Sequence, residues 1–88
     1  MNKLFGEFLG TLLFIYVILA TGSPIPIGIS LIVVIMLFGS FSGGHFNPAV
    51  TVAQVAKGAL PASELLPYIV AQVAGGLAAL ELYKRVKI

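Results

Sequence analysis

Asn47 is the residue of this sequence best suited to recognise a ligand, and its neighbours say which kind. It lies in Ser42-Gly43-Gly44-His45-Phe46-Asn47-Pro48-Ala49-Val50. Gly43 and Gly44 let the backbone turn tightly and leave its carbonyls open. Asn47 is a strong helix N-cap, and Pro48 followed by Ala49 suits the first helical positions, where the missing N–H of proline costs nothing. The Asn47 amide can donate to the oxygen of a neutral solute while the helix end supplies a positive field. The carbonyls of Gly43, Gly44, His45 and Phe46 then form a ladder of acceptors leading to it, and their side chains are expected to matter less. Such a segment selects and conducts. Covalent chemistry has no comparable basis: with no cysteine, a single histidine and three acidic residues, no nucleophile–base pair or metal site can be assembled within one chain. No enzyme, metal or cofactor is expected.

Three further polar residues stand inside apolar runs. Glu7 lies within the first run, where an ionisable group marks function unless it snorkels to the nearby surface. Thr11 follows one turn later on the same helical face. Gln72 is the one strongly polar group of the last run and is expected to bond another helix or the glycine loop. His45 has two readings, a pH-responsive side chain or a neutral imidazole bracing the loop.

The elements that must position these residues follow from hydropathy. Apolar residues make up 59% of 88 positions, charged residues 9%, and mean hydropathy is +1.10, values that place the chain in a membrane. The spans are predicted at about 4–22, 25–42 and 65–83, each long enough to cross. The first is read as a permanent span rather than a cleaved signal. Gly22-Ser23-Pro24-Ile25-Pro26 reads as the turn between the first two, and Ser63-Glu64 as the cap of the third. Between them, residues 42–57 form a glycine loop and a helix stopped by Lys57-Gly58, too short to span. The prediction is an all-α membrane protein, a single unit over 1–88 with three transmembrane helices and one re-entrant half-helix. Asn47 alone reads equally as an ordinary cap; a half-helix buried in lipid makes it a pore element. Gly6 and Gly10, and Ala71, Gly75 and Ala79, recur every four residues, as close helix packing requires. Tyr68, Tyr83, Lys84, Arg85 and Lys87 read as interfacial anchors. Nothing suggests a nucleic-acid surface.

Three patterns in order, Glu7-Phe8-Leu9-Gly10-Thr11, the loop Ser42 to Val50, and Tyr68 to Gln72 followed by Gly75-Gly76, resemble the first half of an aquaporin over nearly the whole sequence. The resemblance implies inverted repeats whose two Asn-Pro-Ala tips meet at mid-membrane around a path for water or small neutral solutes such as glycerol. It also implies that Glu7 accepts backbone N–H bonds from the glycine loop, and that Ile27 occupies the filter position of the second helix, usually aromatic in water-selective members. Here only one Asn-Pro-Ala is present, followed by Val50, and the arginine that typically follows the second motif has no counterpart. The mouth is expected to be less cationic and more apolar.

Three spans and one half-helix cannot enclose a pore, since open carbonyls of the glycine turn would face lipid. A partner is expected, and the sequence points to itself. With three crossings, Lys3 and Lys57 fall on one side and Lys84, Arg85 and Lys87 on the other, almost no orientational bias. Two copies inserted oppositely would form an antiparallel homodimer with one pore, and four such dimers would match the family's tetramers of pores. Two alternatives stay open: a small dual-topology transporter coupling protons through Glu7, and a half needing a different second-half subunit. The expected location is the inner or plasma membrane of the cell.

Overall fold

The computed structural model describes residues 2–86. Among these, all regular structure is helical. Helix α1 spans Lys3–Thr21, α2 Pro24–Ser42, α3 Pro48–Lys57 and α4 Leu65–Arg85, with a single 3-10 turn at Ala62–Glu64 leading into α4.

Local chemistry sets these boundaries. The Asn2 side chain caps α1 by accepting from the N–H groups of Leu4 and Phe5 at 2.7 and 3.3 Å. Gly22, Gly43 and Gly58 end α1, α2 and α3 in the left-handed conformation, each N–H bonding back into the last turn. Two boundaries differ from expectation. Pro24 and Pro26 lie inside the first turn of α2, where their missing N–H groups have no helical acceptor to lose, so the turn shrinks to Gly22-Ser23. Glu64 makes no side-chain cap for α4, because its carboxylate is taken by an ion pair with Lys3.

That ion pair puts the starts of α1 and α4 at the same end of the bundle. At the other end the Tyr16 hydroxyl donates to the carbonyl of Val86 at 2.6 Å. The two helices are therefore parallel, and α2, turning back after two residues, is antiparallel to both. The α1–α4 seam is the most extensive contact, followed by α1–α2. Small residues make it possible: an added Cβ at Gly75 would lie 2.5 Å from the carbonyl oxygen of Phe8, and Ala79 is fully buried.

The distribution of polarity is the reverse of a water-soluble protein's. The buried polar side chains are Glu7, Thr11, Ser42, His45, Thr51 and Gln72, while Ile25, Met36, Leu66 and Leu77 are exposed. Apolar surface left outward on helices of this length is satisfied by hydrocarbon, and polar groups turned inward escape it. α1, α2 and the segment Ala62–Arg85 are each long and apolar enough to cross a membrane. The long axis of 39 Å matches a bilayer's thickness with its headgroups, about 40 Å. The chain is an integral, multi-pass membrane protein. Of the expected anchors, Lys84 and Arg85 pair with Glu81 on α4, and Lys87 lies outside the described residues.

Candidate functional site

Helix α3 has ten residues, so at about 1.5 Å per residue it is about 15 Å long, half of a hydrocarbon core of about 30 Å. Its first turn is built from the sequence as expected. Asn47 Oδ1 accepts from the N–H of Ala49 at 2.8 Å, and Pro48 follows at the first helical position. The Asn47 Nδ2 amino group donates to nothing among the described residues, and Asn47, Pro48 and Ala49 are exposed. A positive helix end thus presents two free N–H donors.

Glu7 anchors the loop in front of this tip. Fully buried on α1, its Oε1 accepts from the backbone N–H of Phe46 at 2.8 Å and its Oε2 from that of His45 at 3.2 Å. Both N–H groups of the Gln72 side chain are used, one on Glu7 Oε1 at 2.9 Å and one on Thr51 Oγ1 at 2.8 Å. Among the described residues no cation pairs with Glu7, so its carboxyl oxygens are satisfied by three N–H donors beside the positive start of α3. Thr51, on α3, is 2.9 Å from His45 Nδ1, which braces the imidazole against the helix that the loop opens. One carboxylate and one amide therefore lock α1, the loop, α3 and α4 together.

The loop conformation itself is unusual. Gly43 and Gly44 have φ of 91° and 69°, values that glycine tolerates, and Phe46 has φ of 54°, the only non-glycine residue with positive φ among those described. What holds Phe46 there is its side chain. The ring is buried with Val34 and Phe38 and lies against Gly10, where an added Cβ would fall 2.1 Å from it. This corrects the expectation that the side chains of His45 and Phe46 matter little.

Tyr68 requires a second correction. It is buried rather than an interfacial anchor: its hydroxyl donates to the carbonyl of Ser42 at 2.8 Å, and its ring lies 4.9 Å from the imidazole of His45. Tyr68 and Gln72 stand one turn apart on α4, so one helical face serves the loop twice, an i, i+4 spacing visible in the sequence. Thr51 carries no sequence signal of its role, because a threonine one turn into a helix resembles any other. Tyr68→Phe is expected to lower stability by about 1 kcal/mol, the net value of one hydrogen bond, measured as a lowered denaturation midpoint in detergent.

A cavity of about 400 Å³ opens beside the tip, lined among others by Thr11, Phe14, Ile15, Asn47, Gln72 and Gly76. Thr11 shares the face of Glu7 but bonds nothing: its Oγ1, like Oε1 of Gln72, is buried without a partner. A second, larger groove of about 620 Å³ lies between α1 and α2 and is mainly apolar, lined by Leu13, Ile25, Ile29 and Val33 among others, with Tyr16, Thr21 and Ser30 as its hydroxyl residues. Ile27 lines neither. It is half-buried near the start of α2, fifteen residues before Ser42 and therefore about 22 Å away along the helix.

Three helices long and apolar enough to cross a membrane thus hold a ten-residue fourth helix whose amide-tipped start is fixed through a buried carboxylate. The sequence profile described as "Major intrinsic protein" matches residues 1–87. The chain belongs to the major intrinsic protein family. It is similar to Aquaporin Z of Brucella melitensis, 38% identical over 94 positions, covering 90% of this chain and 41% of that protein. It is also similar to the glycerol uptake facilitator protein of Streptococcus pneumoniae, 39% identical over 96 positions, covering 88% of this chain and 40% of that protein. The chain thus spans about two fifths of the length of the curated relatives it matches.

Proposed function

We propose that the chain forms half of a passive channel for water or small neutral solutes such as glycerol, and that the other half is a second copy inserted in the opposite orientation. The observation that carries this reading is the exposed tip of α3, where Asn47 Nδ2 has no partner among the described residues and stands at the positive end of the helix. A free amide at mid-membrane costs several kcal/mol if it faces lipid, and is offset if it faces a polar path. Two such tips, apposed, donate hydrogen bonds to a solute oxygen and place two positive ends against protons and cations. The carbonyls of Gly43, Gly44, His45 and Phe46 supply the acceptors along the approach. Pro48 and Ala49 shape the tip, Ile27 contributes an apolar filter position, and Glu7 and Gln72 support the loop, while Thr11, expected to share that role, makes no hydrogen bond and lines the cavity beside the tip. No covalent step, metal or cofactor enters this mechanism.

The names of the relatives in Brucella melitensis and Streptococcus pneumoniae include both water and glycerol channels, so solute size is left to the mouth that two copies build. The near balance of positive charge, Lys3 and Lys57 against Lys84, Arg85 and Lys87, supports insertion both ways in a cell membrane. Four such pairs would reproduce the family's grouping of pores. The test is stopped-flow light scattering on proteoliposomes holding this chain alone. Osmotic water flux above lipid background, without proton leak, is expected. No flux from this chain alone, restored by a different second-half polypeptide, would replace the homodimer by a two-component channel.

A further inference from the structure

We infer that the apolar groove between α1 and α2 holds one acyl chain of an anionic phospholipid, whose phosphate lies at the Lys84-Arg85 end of α4. This site is separate from the polar path proposed above and does not depend on it. Three observations carry it.

The first is reach. At one end of the pair α1 and α2 touch, since an added Cβ at Gly6 would lie 2.6 Å from Phe41 Cε2, and toward the other end they part to leave the groove. On α1 the groove runs from Leu13 to Thr21 and on α2 from Val34 back to Ile25, so at about 1.5 Å per residue its walls are about 12–14 Å long. That is about one leaflet, half of a hydrocarbon core of about 30 Å. A helix of another copy crosses both leaflets and would overrun such a groove. One that stopped inside it would leave its terminal backbone groups bare in hydrocarbon. An acyl chain carries no such groups and ends at mid-membrane without that cost.

The second is chemistry. The hydroxyl hydrogens of the groove are spent on the backbone: Tyr16 donates to the carbonyl of Val86 at 2.6 Å, Thr21 to that of Val17 at 2.8 Å and Ser30 to that of Ile27 at 2.7 Å. Among the lining residues no side-chain donor is left for a polar ligand, and the exposed Ile25, Ile29 and Val33 offer only hydrocarbon. The cavity beside the α3 tip, with its unpaired Thr11 and Gln72 oxygens, is the opposite case.

The third is charge. Tyr16 walls the groove while its hydroxyl holds Val86, so the end of α4 lies beside the groove at the surface where the Gly22-Ser23 turn emerges. Lys84 and Arg85 are exposed there, two cations against the single carboxylate of Glu81 that both contact. The sequence has no acidic residue between Glu7 and Glu64, so the turn adds nothing to repel a phosphate. A lipid whose chain fills the groove sets its headgroup at this same surface, in a positive field.

The test is mass spectrometry of the intact chain, released from detergent after incubation with palmitoyl-oleoyl phosphatidylglycerol or phosphatidylcholine. A single lipid is expected to stay bound, phosphatidylglycerol about fivefold more tightly, the effect of one net cation beside an anionic headgroup. Ile29→Trp, which fills the groove, should remove it, while Met36→Trp on the outward face, 78% exposed, should keep it. Val33→Phe repeats the block deeper in the groove, and circular dichroism checks that each variant is folded. Lys84→Gln combined with Arg85→Gln should keep the lipid and abolish the preference. No bound lipid, retention in folded groove variants, or equal loss in Met36→Trp overturns the site. Equal retention of the two lipids by the unsubstituted chain overturns the position of the phosphate. Val33→Cys decides between lipid and protein, because the sequence has no cysteine of its own. No cross-link is expected in vesicles under mild oxidation; a cross-linked pair gives the groove to a second copy and overturns the proposal.

Discussion

Glu7→Leu is expected to abolish the folded loop. The substitution leaves the N–H groups of His45 and Phe46 and one N–H of Gln72 without an acceptor in a membrane interior. Each orphaned donor costs about 1–3 kcal/mol, so the total is about 3–9 kcal/mol before any relaxation, comparable with the whole stability of a small domain. Proteolysis at the loop and loss of the denaturation transition in detergent are the measurements. Glu7→Gln discriminates more finely. Its Oε1 still accepts one or two bonds, but its amino group now faces a donor, so a loss nearer 1–3 kcal/mol is expected. A passive channel that still folds keeps downhill water flux in Glu7→Gln, whereas a transporter coupling protons through that carboxylate loses transport altogether. The buried setting of Glu7, held by three donors, favours the first outcome.

Gly75→Val should open the seam between α1 and α4. The new Cβ would lie 2.5 Å from the Phe8 carbonyl oxygen, 3.1 Å from Thr11 Cβ and 3.2 Å from the Leu12 nitrogen. Two of those three atoms are backbone and cannot rotate aside, so the helices must separate. Overpacking costs about 1–3 kcal/mol where side chains can yield, and the backbone contact puts this case at or above the upper end. Separation would also draw Gln72 away from Glu7, because both sit on that seam. Gly76→Ala, one residue on, is expected to leave the fold of the single chain intact, and a comparison of denaturation midpoints for the two variants measures the difference.

Much of this architecture was legible in the sequence because a bilayer permits few solutions. Three apolar runs of sufficient length had to be helices, and a capped segment too short to cross had to be a separate, shorter helix. The Asn47-Pro48 start and the Gly58 stop follow from capping chemistry alone. What could not be read was the partnership of side chains distant in sequence. Tyr68 looked like an anchor because tyrosine near a helix start commonly sits at a membrane surface; only the fold carries Ser42 to its hydroxyl. Glu64 looked like a cap until Lys3 arrived from 61 residues away to claim it. Phe46 looked incidental because positive φ at a non-glycine residue leaves no signature in composition. Its ring filling the space above Gly10 is a tertiary fact, although the glycine spacing of α1 hinted that something must lie close.

The hydrogen bonds to Glu7 have a consequence for synthesis. Their backbone donors are 38 and 39 residues further along, and the amide donor 65 residues further. A ribosome delivers α1 to the insertion machinery long before any of those groups exists. The newborn α1 therefore carries a carboxylate without its partners until α4 has been made, so the loop can close only after the last helix has joined the first.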